Sequence, residues 1–354
     1  MNKHVLAATA LLGLAGFASA QITLSGAGAT FPAPLYTEYY IPNFQRANPN
    51  IRVSYQAVGS GAGIRQFTDK VVAFGASDAP LTDAQIADIR RGANNSEVLH
   101  IPTALGPVSV IYNLPGVNEL RLDPAVLSDI FLGRIIRWND RRISALNPGV
   151  NLPNLLISAA HRSDGSGTTF IFTSYLTAIS EQWKSRVGAG QSVNWPAFSG
   201  LGGRGNAGVA ALVNQTPGAI GYVELKYAIE NDLKSATLRN AAGNWIRPSL
   251  ASAVEATSGI DVPADLRLPG QVVNTRDPQG YPIVGMTWML VYREQSVTAR
   301  SIEQARAVQT FLRWILTEGQ AQNERASYVR LSPDVARRAL ALVDSLTFNG
   351  QPLR

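Results

Sequence analysis

The chain has 354 residues, no cysteine, 45% hydrophobic and 16% charged residues, and a formal charge of +6. Such a composition excludes a disordered chain and a disulfide scaffold, and the length fits about two domains. The basic balance admits nucleic acid, but no Lys/Arg stripe interleaves with aromatics, so no nucleic-acid partner is expected. The histidines, His4, His100 and His161, are too scattered for a histidine-based metal site.

Residues 1–20 combine Lys3, an apolar run from Val5 to about Phe17, and Ala18-Ser19-Ala20. A charged start, a short apolar centre and a small-x-small end predict a signal peptide cut before Gln21. No cysteine follows to carry a lipid anchor, and no later run approaches the roughly 18–20 apolar residues of a membrane span. The expected product is exported, soluble and free in the periplasm.

Strand and helix signals then alternate. A short strand from Ile22 runs into Gly26-Ala27-Gly28-Ala29-Thr30-Phe31, and a helix starts near Pro32 or Pro34, to be ended or kinked by Pro42. Ile51–Gln56 reads as a strand, Gly59-Ser60-Gly61-Ala62-Gly63 as a glycine-rich turn, and Ala62–Lys70 as a helix. Val72–Ser77 is a buried strand ending at Asp78, followed by a helix from about Thr82 to Arg91. Further strands are expected near Val108–Asn113, Leu155–Ala159, Ala219–Val223 and Tyr281–Tyr292. Helices are expected near Asp123–Leu132, Asn139–Leu146, Val209–Gln215, Ser301–Glu318 and after Ser332-Pro333. Gly200–Gly208 reads as a glycine-rich surface loop, Asn240–Asn244 as a hairpin turn, and Ala256–Pro278 shows little periodicity.

The densest stretch is His161-Arg162-Ser163-Asp164-Gly165-Ser166-Gly167-Thr168-Thr169-Phe170. Its glycines allow a tight turn, Ser166 and Thr168 suit a helix N-cap, and Phe172, Leu176 and Ile179 follow at helical spacing. The helix N-terminus and the Arg162 fork together suit a tetrahedral oxyanion. A well-capped helix beside a surface arginine would look the same. Likewise, Gly59–Gly63 fits a plain tight turn as well as an anion cradle. Its glycines lack the Lys-Ser/Thr of a nucleotide P-loop and the acidic partner of a dinucleotide fold. Asp78 fits either a ligand site at the carboxyl end of a strand or the cap of the next helix. The repetition of three glycine- and hydroxyl-rich strand-to-helix turns favours several helix N-termini converging on one anion, held between two lobes.

Residues 26–34, 74–81, 164–168 and 217–224 (GAGATFPAP, FGASDAPL, DGSGT and PGAIGYVE) closely resemble the periplasmic phosphate-binding proteins of high-affinity ABC phosphate importers. The resemblance spans the mature chain and is weakest from Ala241 to Gln279 and in the last helices. It implies an α/β, two-lobed, hinged periplasmic-binding-protein fold of type II, with the ligand cleft between the lobes. Lobe I is expected over 21–105 plus 284–354 and lobe II over 106–283, with crossings near 106–110 and 283–287. By resemblance, Thr30, the Phe31 N–H, Ser60, Asp78, Arg162, Ser166, the Gly167 N–H and Thr168 would hold phosphate, while Asp164 would orient Arg162. Gly61 stands where a second serine is common, which puts a contact near Ser60 in doubt, and Ala73 replaces an acidic residue of some relatives without expected effect.

The implied function is binding of inorganic phosphate, as a monomer without cofactor or metal, and delivery to the membrane permease subunits of an ABC importer. Asp78 beside an anion would accept a hydrogen bond from a protonated phosphate oxygen. Sulfate has no proton to offer, and the unmatched contact would cost about 1–3 kcal/mol or more. The alternatives are a binder of another tetrahedral oxyanion (sulfate, molybdate or arsenate) and a secreted phosphatase or hydrolase. For the latter, Asp164 stands where a nucleophile elbow needs glycine.

Overall fold

The computed structural model describes residues 21–196 and 200–353. The expected signal peptide falls on residues 1–20, outside the described residues. In chain order, β1 (Ile22–Gly28) leads through a wide π turn (Leu35–Tyr40) into α1 (Ile41–Ala47), followed by β2 (Ile51–Ala57), α2 (Ser60–Thr68), β3 (Phe74–Ser77) and α3 (Asp83–Gly92). The long β4 (Val98–Tyr112) precedes β5 (Arg121–Leu122), α4 (Pro124–Phe131), α5 (Arg141–Leu146), β6 (Ser158–Arg162), α6 (Gly167–Ile179) and α7 (Glu181–Arg186). Next come β7 (Leu201–Gly203), α8 (Gly205–Gln215), β8 (Ala219–Glu224), α9 (Leu225–Glu230), β9 (Lys234–Ser235), β10 (Thr237–Arg239), β11 (Trp245–Ile246) and α10 (Leu250–Thr257). The chain closes with β12 (Val272–Val273), β13 (Ile283–Tyr292), α11 (Ile302–Leu316), α12 (Gln320–Asn323), α13 (Pro333–Asp344) and a short hairpin of β14 (Thr347–Phe348) and β15 (Gln351–Pro352).

One sheet runs through the molecule in the order β2-β1-β3-β13-β4-β8-β6-β7. At one end β1 pairs in parallel with β2 and β3, and at the other β6 pairs in parallel with β7 and β8. The link is β4, which is buried along its whole length. Its residues 98–107 pair antiparallel with β13, while Val108–Tyr112 pair antiparallel with β8. A strand buried on both faces reads as a nearly continuous apolar run, and β13 (Ile283-Val284-Gly285-Met286-Thr287-Trp288-Met289-Leu290-Val291-Tyr292) is one. The apolar stripe expected on α11 is buried, with Ala305, Val308, Leu312 and Ile315 facing inward. On α6, Phe172 stacks on Tyr222 of β8 with ring centroids 4.4 Å apart.

Several local expectations needed correction. Pro42 interrupts rather than ends its helix: the π turn stops at Tyr40, and Pro42 stands in the first turn of α1, where a missing N–H is tolerated. The first part of β4, from Val98, went unread because His100, Pro102 and Thr103 interrupt its apolar run. Leu155–Ala159 is displaced by a few residues to β6, which ends at Arg162. Gly200–Gly208 is not a surface loop: it holds β7 and the first turn of α8, with Gly203, Gly205 and Asn206 buried. The hairpin turn at Asn240–Asn244 is found, between β10 and β11.

Candidate functional site

Every expected site residue lies at the carboxyl end of a parallel strand or in the first turn of the helix that follows. Thr30 and Phe31 follow β1, Ser60 opens α2, and Asp78 follows β3. Arg162 ends β6, Ser166 caps α6 by accepting the Thr169 N–H at 3.0 Å, and Gly167 and Thr168 form the first turn. All are buried, Arg162 included at 5% exposure, so the surface-arginine reading fails. The helix-cap reading of Asp78 fails too, because Thr82 caps α3 through a capping box with Gln85.

The structure joins these turns directly. Ser60 Oγ accepts the N–H groups of Gly167 at 3.0 Å and Asp78 at 3.3 Å, and its hydroxyl lies 3.4 Å from Asp78 Oδ2. Gly61 N–H donates to Gly165 O at 2.9 Å. A Cβ on Gly61 would stand 3.1 Å from the Gly165 Cα, so glycine here lets the two backbones touch, a use the sequence comparison of a lost serine did not anticipate. On Gly167 a Cβ would fall 2.5 Å from the Asp78 Cβ. The two sides therefore meet through close backbone surface, tight at Gly61 and without room for a side chain at Gly167.

Arg162 and Asp164 form a two-pronged pair, Nε to Oδ1 at 2.7 Å and Nη2 to Oδ2 at 2.5 Å. Burial works against the Asp164 charge, but the Arg162 fork and the Gly205 N–H, at 3.0 Å, outweigh it and hold the carboxyl below its usual range. The remaining Arg162 nitrogen, Nη1, lies 3.4 Å from Thr168 Oγ1. Among the described residues Asp78 has no such partner. Burial pushes its pKa up to about 7, against the opposing pull of the Thr287 hydroxyl, Arg162 and Ser60. Its Oδ1 accepts from Thr287 Oγ1 at 2.7 Å. Near neutral pH this carboxyl can hold a proton or accept one, beside hydroxyls and N–H groups suited to an oxyanion.

Several contributors were missed by the sequence reading. Asn206, fully buried in the first turn of α8, donates from Nδ2 to Thr30 Oγ1 at 2.8 Å and to Thr168 Oγ1 at 3.1 Å. Tyr227 donates to Thr30 O at 2.7 Å. That carbonyl belongs to the same peptide unit as the Phe31 N–H, which donates to no group among the described residues. The Tyr328 hydroxyl lies 2.6 Å from Phe31 O and 2.8 Å from Glu224 Oε2. One hydroxyl proton cannot serve both oxygens, so the geometry favours a proton on Glu224 as the second donor. Burial raises the Glu224 pKa well above the carboxylate range in agreement with this. A signal for Asn206 existed: Gly203-Arg204-Gly205-Asn206 is one more glycine-rich turn into a helix. For Thr287 the signal was a hydroxyl alone in an apolar strand.

Residues 15–318 match the family model of the PBP superfamily domain. The chain is 38% identical over 319 residues to the phosphate-binding protein PstS of Xylella fastidiosa, covering 90% of this chain and 84% of that protein. It is 36% identical to the phosphate-binding protein PstS of Pasteurella multocida, covering 96% and 95%. Among solved structures, the phosphate-binding protein from Stenotrophomonas maltophilia superposes with a TM-score of 0.70 at 19% identity, over 91% of this chain and 94% of that one. A high-affinity periplasmic phosphate-binding protein bound with phosphate (PfluDING) superposes with a TM-score of 0.73 at 22% identity, over 90% and 93%. The likeness to these structures carries the two-lobed α/β fold expected from sequence, and the family follows from the model and the sequence relatives: the chain belongs to the PBP superfamily and, within it, to the phosphate-binding proteins PstS.

Proposed function

We propose that this protein binds one inorganic phosphate ion and delivers it to the membrane permease of an ABC importer. The observation that carries the reading is the convergence of buried hydroxyls, helix N-termini, one paired arginine and one unpaired carboxylate at a single point. Thr30, the Phe31 N–H, Ser60, Ser166 and Thr168 donate to phosphate oxygens, the Gly167 N–H joins them by exchanging Ser60 Oγ for the ion, Arg162 adds a charge-assisted contact, and Asp78 accepts the phosphate proton. Asp164 holds the Arg162 fork and lowers the net charge that the anion meets.

Lobe I comprises 21–105 plus 284–354 and lobe II 106–283. This division is supported by the change of partner along β4, from β13 to β8 at Val108. Thr30, Ser60 and Asp78 then act from one lobe and Arg162 to Thr168 from the other, so the ion stabilises the closed arrangement. The protein acts as a monomer in the periplasm, after cleavage before Gln21. Among the described residues no helix is long and apolar enough to cross a membrane.

Binding without turnover is supported by the surroundings of Ser166. Its oxygen accepts the Thr169 N–H, and His161, the histidine nearest in sequence, stacks on Trp195 with ring centroids 5.1 Å apart and its Nδ1 3.0 Å from Arg162 O. No base is thereby directed at the serine. Titration calorimetry of the phosphate-stripped protein tests the reading. One-to-one uptake of phosphate is expected, and absence of heat would overturn it.

A further inference from the structure

Hydroxyl groups can donate or accept, so a cradle lined with Ser and Thr is not by itself specific for an anion. The surroundings of Thr30 and Thr168 remove that ambiguity. Thr30 Oγ1 accepts two hydrogen bonds, from the Asn206 N–H at 3.1 Å and from Asn206 Nδ2 at 2.8 Å. Thr168 Oγ1 also accepts two, from Asn206 Nδ2 at 3.1 Å and from Arg162 Nη1 at 3.4 Å. With both lone pairs engaged, each hydroxyl keeps only its proton to offer. The amide cannot be turned around, because Asn206 Oδ1 accepts the Glu224 N–H at 2.9 Å. The reversed amide would set an NH₂ against that N–H and leave the buried Glu224 donor unpaired.

Building on the phosphate-binding reading above, we propose that Asn206 is a positioning residue that sets the polarity of the site. One carboxamide, inserted between the turn after β1 and the first turn of α6, makes Thr30 and Thr168 obligate donors. It thereby tunes the cradle to a ligand whose oxygens accept, and it ties the two sides together through the same nitrogen. The residue acts through the threonines and touches no ligand atom in this account.

A binding cycle separates this role from a merely structural one. Phosphate affinity is measured by calorimetry for the wild type, Asn206→Asp, Asn206→Ala, Thr30→Val/Thr168→Val, and the Thr30→Val/Thr168→Val background carrying Asn206→Ala. Asn206→Asp turns the donor into an acceptor that captures the threonine protons, and a loss of about 100-fold or more is expected. Asn206→Ala is expected to lose about tenfold or more in the wild type but less than about threefold where no threonine hydroxyls remain. Either single variant that folds, judged by thermal melting of the ligand-free protein, suffices for the wild-type comparison. Wild-type-like binding by Asn206→Asp or Asn206→Ala, or an equal loss in both backgrounds, would overturn the assignment. A wild type that takes up no phosphate would overturn the phosphate reading and this inference together, whereas normal wild-type uptake with unaffected variants overturns the role of Asn206 alone.

Discussion

The two sides of the site are built from the same local unit, a parallel strand turning through small residues into a helix, yet they solve the problem of buried charge in opposite ways. On the side of β6, α6 and α8 a full positive charge is brought in and almost fully matched, Arg162 against Asp164, with the Gly205 N–H holding the carboxylate from behind. On the side of β1, β2 and β3 the charge brought to the site is that of Asp78, met by the Thr287 and Ser60 hydroxyls and destabilised by burial. The matched side presents a nearly neutral donor surface. The unmatched side presents an acceptor whose protonation is undecided near neutral pH. A buried charge without a partner is costly, so its presence at the centre of a site points to a ligand able to complete it.

Arg162→Met should have the largest effect. It leaves Asp164 half-buried beside an incoming anion, and a loss of about 100- to 1000-fold in phosphate affinity is expected by calorimetry. Retained affinity would mean that the matched side needs no charge. Gly167→Ala follows, because its Cβ would fall 2.5 Å from the Asp78 Cβ, so the two sides cannot meet. Small-angle scattering should show that phosphate compacts the wild type and fails to compact this variant.

A smaller effect is expected from pH on the ligand-free protein. The folded-state pKa values of Asp78, about 7, and Glu224, which burial raises well above its ordinary value, both exceed those of the unfolded chain. The folded state therefore holds these protons more tightly. The stability these two groups contribute is fully present below the ordinary carboxylate range and is lost as pH rises from about 4 towards and beyond 7. Glu224→Gln cannot titrate, so denaturant titrations should give it a flatter dependence over that window than the wild type. Identical slopes would mean that Glu224 is not protonated in the fold. Gly61→Ser is expected to act least, within about threefold on phosphate affinity, since the 3.1 Å contact with Gly165 needs only a few tenths of an ångström of relief.

The contrast also separates what was legible in the sequence from what was not. Glycine-rich turns flanked by apolar strands and helices are local signals, so the turns at Thr30, Ser60, Asp78 and Ser166 could be read from the chain. The partners of those turns are not local. Thr287 reaches Asp78 from β13, and Tyr328 reaches Phe31 from the far end of the chain. Asn206 sits in the same kind of turn as the others, but a run of glycines with a lone arginine reads as exposed loop until β7 is paired with β6. The short α7, α9 and α10 went unread for a related reason. Helices of six to eight residues carry too little periodicity to stand out, and packing rather than propensity stabilises them.

The most direct test is competition between phosphate and sulfate, measured by calorimetry on the wild type and on Asp78→Asn at about pH 8 and about pH 5. On the proposed reading phosphate would bring its own proton to Asp78, whereas sulfate would bind only when the carboxyl has taken one from solution. The wild type should select phosphate strongly at pH 8 and admit sulfate more readily at pH 5, below the Asp78 pKa of about 7. Asp78→Asn, which offers an N–H in place of a lone pair, should lose most of the discrimination at both pH values. If Asp78→Asn still rejects sulfate as the wild type does, the unmatched carboxylate is not what selects the ion.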